Sequence, residues 1–143
     1  MKNAILLLGI FVTLFLAHAE IAESQTCPDT LAVHQELQPS IPGWQVFASD
    51  APIHLAGVTF FDGPPNEKAS LVYDETSRVA GKEIMTWRFI PNRDRPIWMA
   101  CSYSQTSITV ARRLSNEIRR CSVTYNPKIR VSGLLKIEKI DCN

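Results

Sequence analysis

Apolar and polar positions alternate in twos through most of this chain, the pattern of strands that turn one face to a core. Leu31, Val33, Gln35 and Leu37 alternate with Ala32, His34 and Glu36 until Pro39, Pro42 and Gly43 break the run. A short strand is predicted over 44–48 and a longer one over 53–61, ended by Asp62-Gly63-Pro64-Pro65. Met85, Trp87 and Phe89 alternate with Thr86 and Arg88, which reads as a half-buried strand. Segments 98–103 and 107–114 flank a turn at Ser104-Gln105, segment 121–125 follows a turn at Ser115-Asn116-Glu117, and 134–142 closes the chain. Seven or eight short strands with frequent turns predict a mainly β fold, a small antiparallel β-sandwich or barrel. At most one short helix fits, over 65–73, because Pro65 suits a first helical position.

The first nineteen residues fall outside this pattern. Lys2 supplies a positive start, residues 5–16 form an apolar run, and Ala17-His18-Ala19 is a small-x-small cleavage site. Residues 1–19 therefore read as a signal peptide and residues 20–143 as a single domain. No later segment is long and apolar enough for a transmembrane helix, so no membrane insertion is expected after cleavage. Removing residues 1–19 takes away one lysine and no acid, leaving 14 Lys plus Arg against 14 Asp plus Glu. That balance argues against nucleic acid as a partner, which demands surplus basic charge.

Export changes the reading of the four cysteines, Cys27, Cys101, Cys121 and Cys142. An even count in an oxidising compartment points to two disulfides. No pair has the C-x-x-C spacing of a redox or zinc motif. The first and last strands of a closed β domain often lie side by side, so the expected pairing is Cys27–Cys142 with Cys101–Cys121. A flat meander would hold Cys101 and Cys121 about 9.5 Å apart, beyond the roughly 7 Å a disulfide spans. This pairing therefore needs a sharply curled sheet or strands not separated by a flat third.

Several stretches resemble a family of small exported Gram-negative proteins of uncharacterised function, named after an enterobacterial locus. They are Cys27-Pro28, Gly43-Trp44, "GVTFFDGPPNEKASLV" from Gly57, "TWRF" from Thr86, "IWMACSYSQTSITVARRL" from Ile97 and "RRCSVTY" from Arg119. The resemblance implies a signal peptide and four cysteines, and it implies no catalytic residue. A looser likeness, of layout alone, is to small disulfide-bonded β-barrel inhibitors of lysozyme.

Candidate chemistry is sparse. A phosphate cradle needs converging glycine amides before a helix. Asp62-Gly63-Pro64-Pro65 has one glycine, two prolines without an amide N–H, and an acid, so it reads as a corner with Gly63 at positive φ. His34 and His54 stand alone in strand patterns, without metal-ligand spacing. No Gly-x-Ser-x-Gly elbow occurs, and the adjacent Asp74-Glu75 would point to opposite faces of a strand as a solvated pair. Trp44, Trp87 and Trp98 are expected in the core. Arginines stand out: Arg112, Arg113, Arg119 and Arg120 flank the turn at 115–117, read as a hairpin, with Arg93 and Arg95 in the loop before Trp98. Arginine forks suit carboxylate recognition and recur at binding hot spots. Alternation puts Arg113 and Arg120 opposite Val110 and Cys121, hence exposed.

These features together predict a periplasmic or secreted, non-enzymatic binding protein without cofactor or metal. The concrete form is an inhibitor or immunity-type protein that meets an envelope hydrolase or toxin through Arg112, Arg113, Arg119 and Arg120. The alternatives are a small envelope enzyme with an unrecognised site and an assembly subunit of an envelope machine. A pocket of convergent carboxylates or histidines would mark the enzyme, and a long unpaired apolar edge strand the subunit.

Overall fold

The alternation along the chain becomes two antiparallel sheets that share one core. The computed structural model describes residues 26–90 and 94–143. Its strands are β1 (Thr30–Leu31), β2 (Ile53–Asp62), β3 (Glu75–Val79), β4 (Lys82–Arg88), β5 (Ile97–Tyr103), β6 (Thr109–Arg113), β7 (Arg120–Val131) and β8 (Leu134–Cys142). One sheet runs β1-β2-β5-β6 and the other β3-β4-β7-β8. The end strands of each do not join, so the sandwich is realised and the barrel is not. The signal-peptide reading of residues 1–19, and Arg93, lie outside the described residues.

Register explains the core. Val58 faces Cys101 and Phe60 faces Met99 in the first sheet. In the second, Trp87 faces Cys121, and Val123 lies between Met85 and Ile140. These rows point inward at each other, and Phe60, Met99, Cys121 and Val123 have no exposed surface. Phe60 links the layers, its ring centroid 4.9 Å from that of Trp87 and 5.7 Å from that of Phe89. Burying each such side chain is worth roughly 1.5–3 kcal/mol. Trp87 keeps its indole N–H satisfied by donating to the Leu71 carbonyl at 3.2 Å.

The Asp62 corner sends the chain from one sheet to the other. The Asp62 N–H donates to the Ala69 carbonyl and the Leu71 N–H to the Phe60 carbonyl, so the chain doubles back beside the end of β2 before entering β3. The predicted helix shrinks to one 3-10 turn, Pro65–Glu67. Gly63 takes φ +93°, as a corner requires.

The disulfide pairing differs from expectation. The bonds are Cys27–Cys101, with Cα atoms 5.8 Å apart, and Cys121–Cys142, at 4.1 Å, not Cys27–Cys142 and Cys101–Cys121. Cys101 lies on β5 and Cys121 on β7, in opposite sheets. Stacked sheets stand about 10 Å apart, beyond disulfide reach. Cys121 instead meets its direct cross-strand neighbour, because β8 pairs with β7. Arg120 and Asn143 exchange both backbone hydrogen bonds, so the next pair, Cys121 and Cys142, is the close, non-hydrogen-bonded kind.

Two strand expectations also fail. Of 31–37 only Leu31 is in a strand, and 44–48 forms none. Pro39 and Pro42 have no amide N–H to give a ladder. Gly43 at φ +83° closes a turn in which the Trp44 N–H donates to the Ile41 carbonyl at 3.1 Å. Trp44 is therefore 76% exposed rather than in the core, whereas Trp87 is 5% exposed. Trp98 is half-buried, on the face of β5 turned away from Met99.

Candidate partner-binding surface

The four arginines lie around a crossover, not a hairpin. β6 pairs with β5 and β7 with β4 and β8, so the turn at 115–117 carries the chain from one sheet to the other. Arg113 stands across from Trp98 on the outer face of the first sheet and is exposed. Arg112 faces the other way, beside Met99, and is half-buried. Arg120 is exposed on the second sheet, and its cross-strand neighbour is Arg88 rather than Arg113. Only Arg113 and Arg119 are brought together. The Arg113 guanidinium donates to the Asn116 side-chain oxygen at 3.4 Å, and that of Arg119 to the Asn116 carbonyl at 2.8 Å. Leu114, buried between them, donates its N–H to the Ile97 carbonyl and fixes the start of the crossover.

Next to this crossover sits a charged clamp that the sequence pattern left unassigned. Arg95 donates to the Asp62 carbonyl at 2.8 Å and pairs with the Glu67 carboxylate. The hydrogen bond it donates to Glu67 is the main cause that holds the Arg95 guanidinium above its ordinary pKa, with the Glu67 charge next. The guanidinium lies where a Cβ on Gly63 would stand, so the corner needs glycine for space as well as for φ. On the second sheet Arg88 is engaged likewise. Its side chain donates to Glu75 and its N–H to the Asp74 carboxylate, both at 2.6 Å, so Asp74 and Glu75 act as exposed ties between strands.

At the far end of β2 and β5 the surface changes character. Leu37, Ile41, Trp44, Val46 and Phe47 are exposed in an irregular segment, Phe47 at 87%. Gln35 ties the start of this segment to the β5–β6 turn by donating to the Gln105 carbonyl at 3.3 Å. A cavity of about 350 Å³ lies between segment and body, lined by Leu37, Val46, Phe47, Ile53 and Gln105. A larger one, about 490 Å³, opens beside the Cys27–Cys101 bond and is lined by Met99, Val110 and Arg112. Tyr103 donates to the Pro28 carbonyl at 2.9 Å and so holds the chain next to Cys27 against β5; burial pushes its phenol above the ordinary range, with the Asp29 charge adding.

Among the described residues the histidines do not converge on anything. His34 is exposed beside Glu36, and His54 is exposed on β2. Among the described residues no three His, Cys, Asp or Glu side chains are placed to hold a metal ion. The sequence pattern missed the apolar segment because Trp44 and Val46 suggested a strand. The usable signal was the absence of any charged residue over 37–49 together with two prolines.

Comparison with known proteins adds a family. The family whose model matches is the Type VI secretion system Tli immunity protein, over residues 50–143, the stretch from just before β2 to the end of β8. The match takes in the motifs from Gly57, Thr86, Ile97 and Arg119, on a family description other than the enterobacterial locus they had suggested. The chain is also 30% identical over 137 residues to an "Uncharacterized 16.3 kDa protein in trpG 5'region" of Azospirillum brasilense, covering 91% of this chain and 89% of that one. No solved structure matches.

Proposed function

This chain belongs to the Type VI secretion system Tli immunity protein family, and from that premise we propose that it is exported to the periplasm, binds a toxin there and blocks it without chemistry of its own. The observation that carries the reading is the family match, which runs through seven of the eight strands of the sandwich. Two disulfides suit an oxidising compartment. A stapled scaffold also presents its surface at little ordering cost.

For charged contacts the reading keeps Arg112, Arg113, Arg119 and Arg120 as candidates and ranks them by placement. Arg113 and Arg119 share Asn116 at the crossover and present one basic edge. Arg120 sits on the other sheet, next to Arg88, and meets the same partner only if that partner wraps the crossover. Arg112 is half-buried and more a wall of the cavity beside Cys101 than a contact.

Protection is the test. The full chain is co-expressed in a sensitive host with each periplasm-directed type VI toxin of the producing strain, and survival is scored. Rescue from one toxin, and a complex of the two purified proteins, is the expected result. Loss of rescue when residues 1–19 are deleted would support export. No rescue from any of the toxins would end the immunity reading. With the toxin in hand, Arg113→Ala should weaken binding about 10-fold and reduce its salt dependence, and Arg120→Ala should do so less.

A further inference from the structure

One surface is explained neither by the core nor by the arginine-bearing crossover. Over 37–49 the chain has no charged residue and no regular strand or helix, yet it exposes Leu37, Ile41, Trp44, Val46 and Phe47. Single exposed apolar residues need no explanation, but five within eleven positions form a patch of the kind that marks an interaction site. We propose that this segment anchors the protein on its toxin, with Trp44 and Phe47 entering an uncharged apolar cleft of that partner. The inference rests on the immunity reading and names the contact through which it would work.

The segment is presented rather than loose. Before it, Cys27 is bonded to Cys101 and β1 pairs with β2; after it, the chain enters β2 itself. Gln35 is tied to Gln105, and the turn at Ile41–Trp44 is closed by a backbone hydrogen bond. Aromatic side chains held on such a frame lose little freedom on binding, and Trp is among the residues that dominate interface energetics.

Chemistry selects the occupant. A lipid surface is recognised by basic residues that flank the apolar ones, and 37–49 has none. An acidic or basic patch on a partner would find no counter-charge there either. An apolar cleft in a folded protein is left, and the family supplies a toxin as that protein. The segment also precedes residue 50, where the family match begins. Arg113 stands at the opposite end of the β2–β5 ladder from the end where the segment enters β2. The paired span from Leu55–Tyr103 to Asp62–Ile97 covers about 23 Å at 3.3 Å per residue, within the breadth of a standard interface of about 800 Å² per partner.

The test uses the toxin identified by protection, purified and titrated with the full mature chain. Trp44→Ser with Phe47→Ser should weaken binding at least about 100-fold, leave the salt dependence unchanged, and abolish rescue in the host. Trp44→Phe should retain most of the affinity. Two parallel measurements check the other occupants: sedimentation of the free protein, and binding to vesicles of phosphatidylcholine with phosphatidylglycerol. Equal toxin affinity of wild type and double variant would overturn the inference. So would a wild-type dimer, or vesicle binding, that the double variant loses while its toxin affinity stays intact. Either result leaves rescue by the wild type standing, and so is distinct from failure of the immunity reading, in which the wild type rescues from nothing.

Discussion

Two stretches of similar length carry the same apolar load and meet opposite fates. β2, Ile53–Asp62, holds Ile53, Leu55, Val58, Phe60 and Phe61, and residues 37–47 hold Leu37, Ile41, Trp44, Val46 and Phe47. The first set is buried or half-buried, and the second is exposed throughout. Apolar content therefore does not decide burial. In β2 a near-regular spacing of two, adjusted by a bulge between Leu55 and Gly57, keeps one face inward while β5 takes up the backbone hydrogen bonds. In 37–47 the spacing follows no period, and Pro39 and Pro42 offer no donors. A chain that cannot join a ladder cannot bring its side chains to a sheet's inner face.

The difference can be broken most forcefully on the buried side. Trp87→Ala removes an indole that fills the space between the sheets and meets Phe60. It should cost about 3–5 kcal/mol in chemical denaturation. The staple comes next. Cys27–Cys101 closes a sequence separation of 74, against 21 for Cys121–Cys142. Loss of the longer loop, by replacing both cysteines with alanine, should cost roughly 3–4 kcal/mol, and loss of the shorter one less. Non-reducing peptide mapping should recover Cys27 joined to Cys101, and a Cys101–Cys121 peptide would refute this fold.

A smaller effect is expected at the Asp62 corner. Gly63→Val must hold a β-branched residue at φ +93° and displace the Arg95 guanidinium. The cost should be about 1–3 kcal/mol. Arg95→Ala in the same chain should relieve part of it, because the two sites share one contact and will not add. Equal costs with and without Arg95 would mean that backbone strain alone is responsible.

How much was legible follows from the same contrast. Local patterns were readable. The strand at Met85 and Trp87, the Gly63 corner and the turn at Ser104-Gln105 all stand where the sequence put them, since each depends on neighbours in the chain, although Thr86, on the face expected to be polar and open, is buried. What depended on which strand sits beside which was not. Cys121 and Cys142 pair because β7 and β8 are adjacent, and Arg113 and Arg120 part because β6 and β7 are not. The arginines were visible as residues but not as a surface. The apolar segment was hidden by its own composition, because Trp44 and Val46 resemble strand residues until two prolines and a missing partner strand are weighed.

The smallest effect is expected at two large side chains that stand in solvent. Trp44 and Phe47 are 76% and 87% exposed, so truncating them removes little buried area and leaves no cavity in the core. Trp44→Ser with Phe47→Ser should therefore change unfolding free energy by no more than about 0.5 kcal/mol, against the several expected for Trp87→Ala. Serine also lowers the apolar surface shown to water, so a slight gain in solubility is expected beside it. A thermal melt with an unchanged midpoint, and loss of the readily quenched share of tryptophan fluorescence, would confirm that Trp44 stands in solvent while Trp87 and Trp98 remain sheltered. A loss of 2 kcal/mol or more would place the segment on the body of the sandwich in solution, and the contrast between the two stretches would collapse. An unchanged melt leaves two large aromatic side chains, Trp44 and Phe47, that folding does not use, and a function outside the fold is then the remaining reason for their presence.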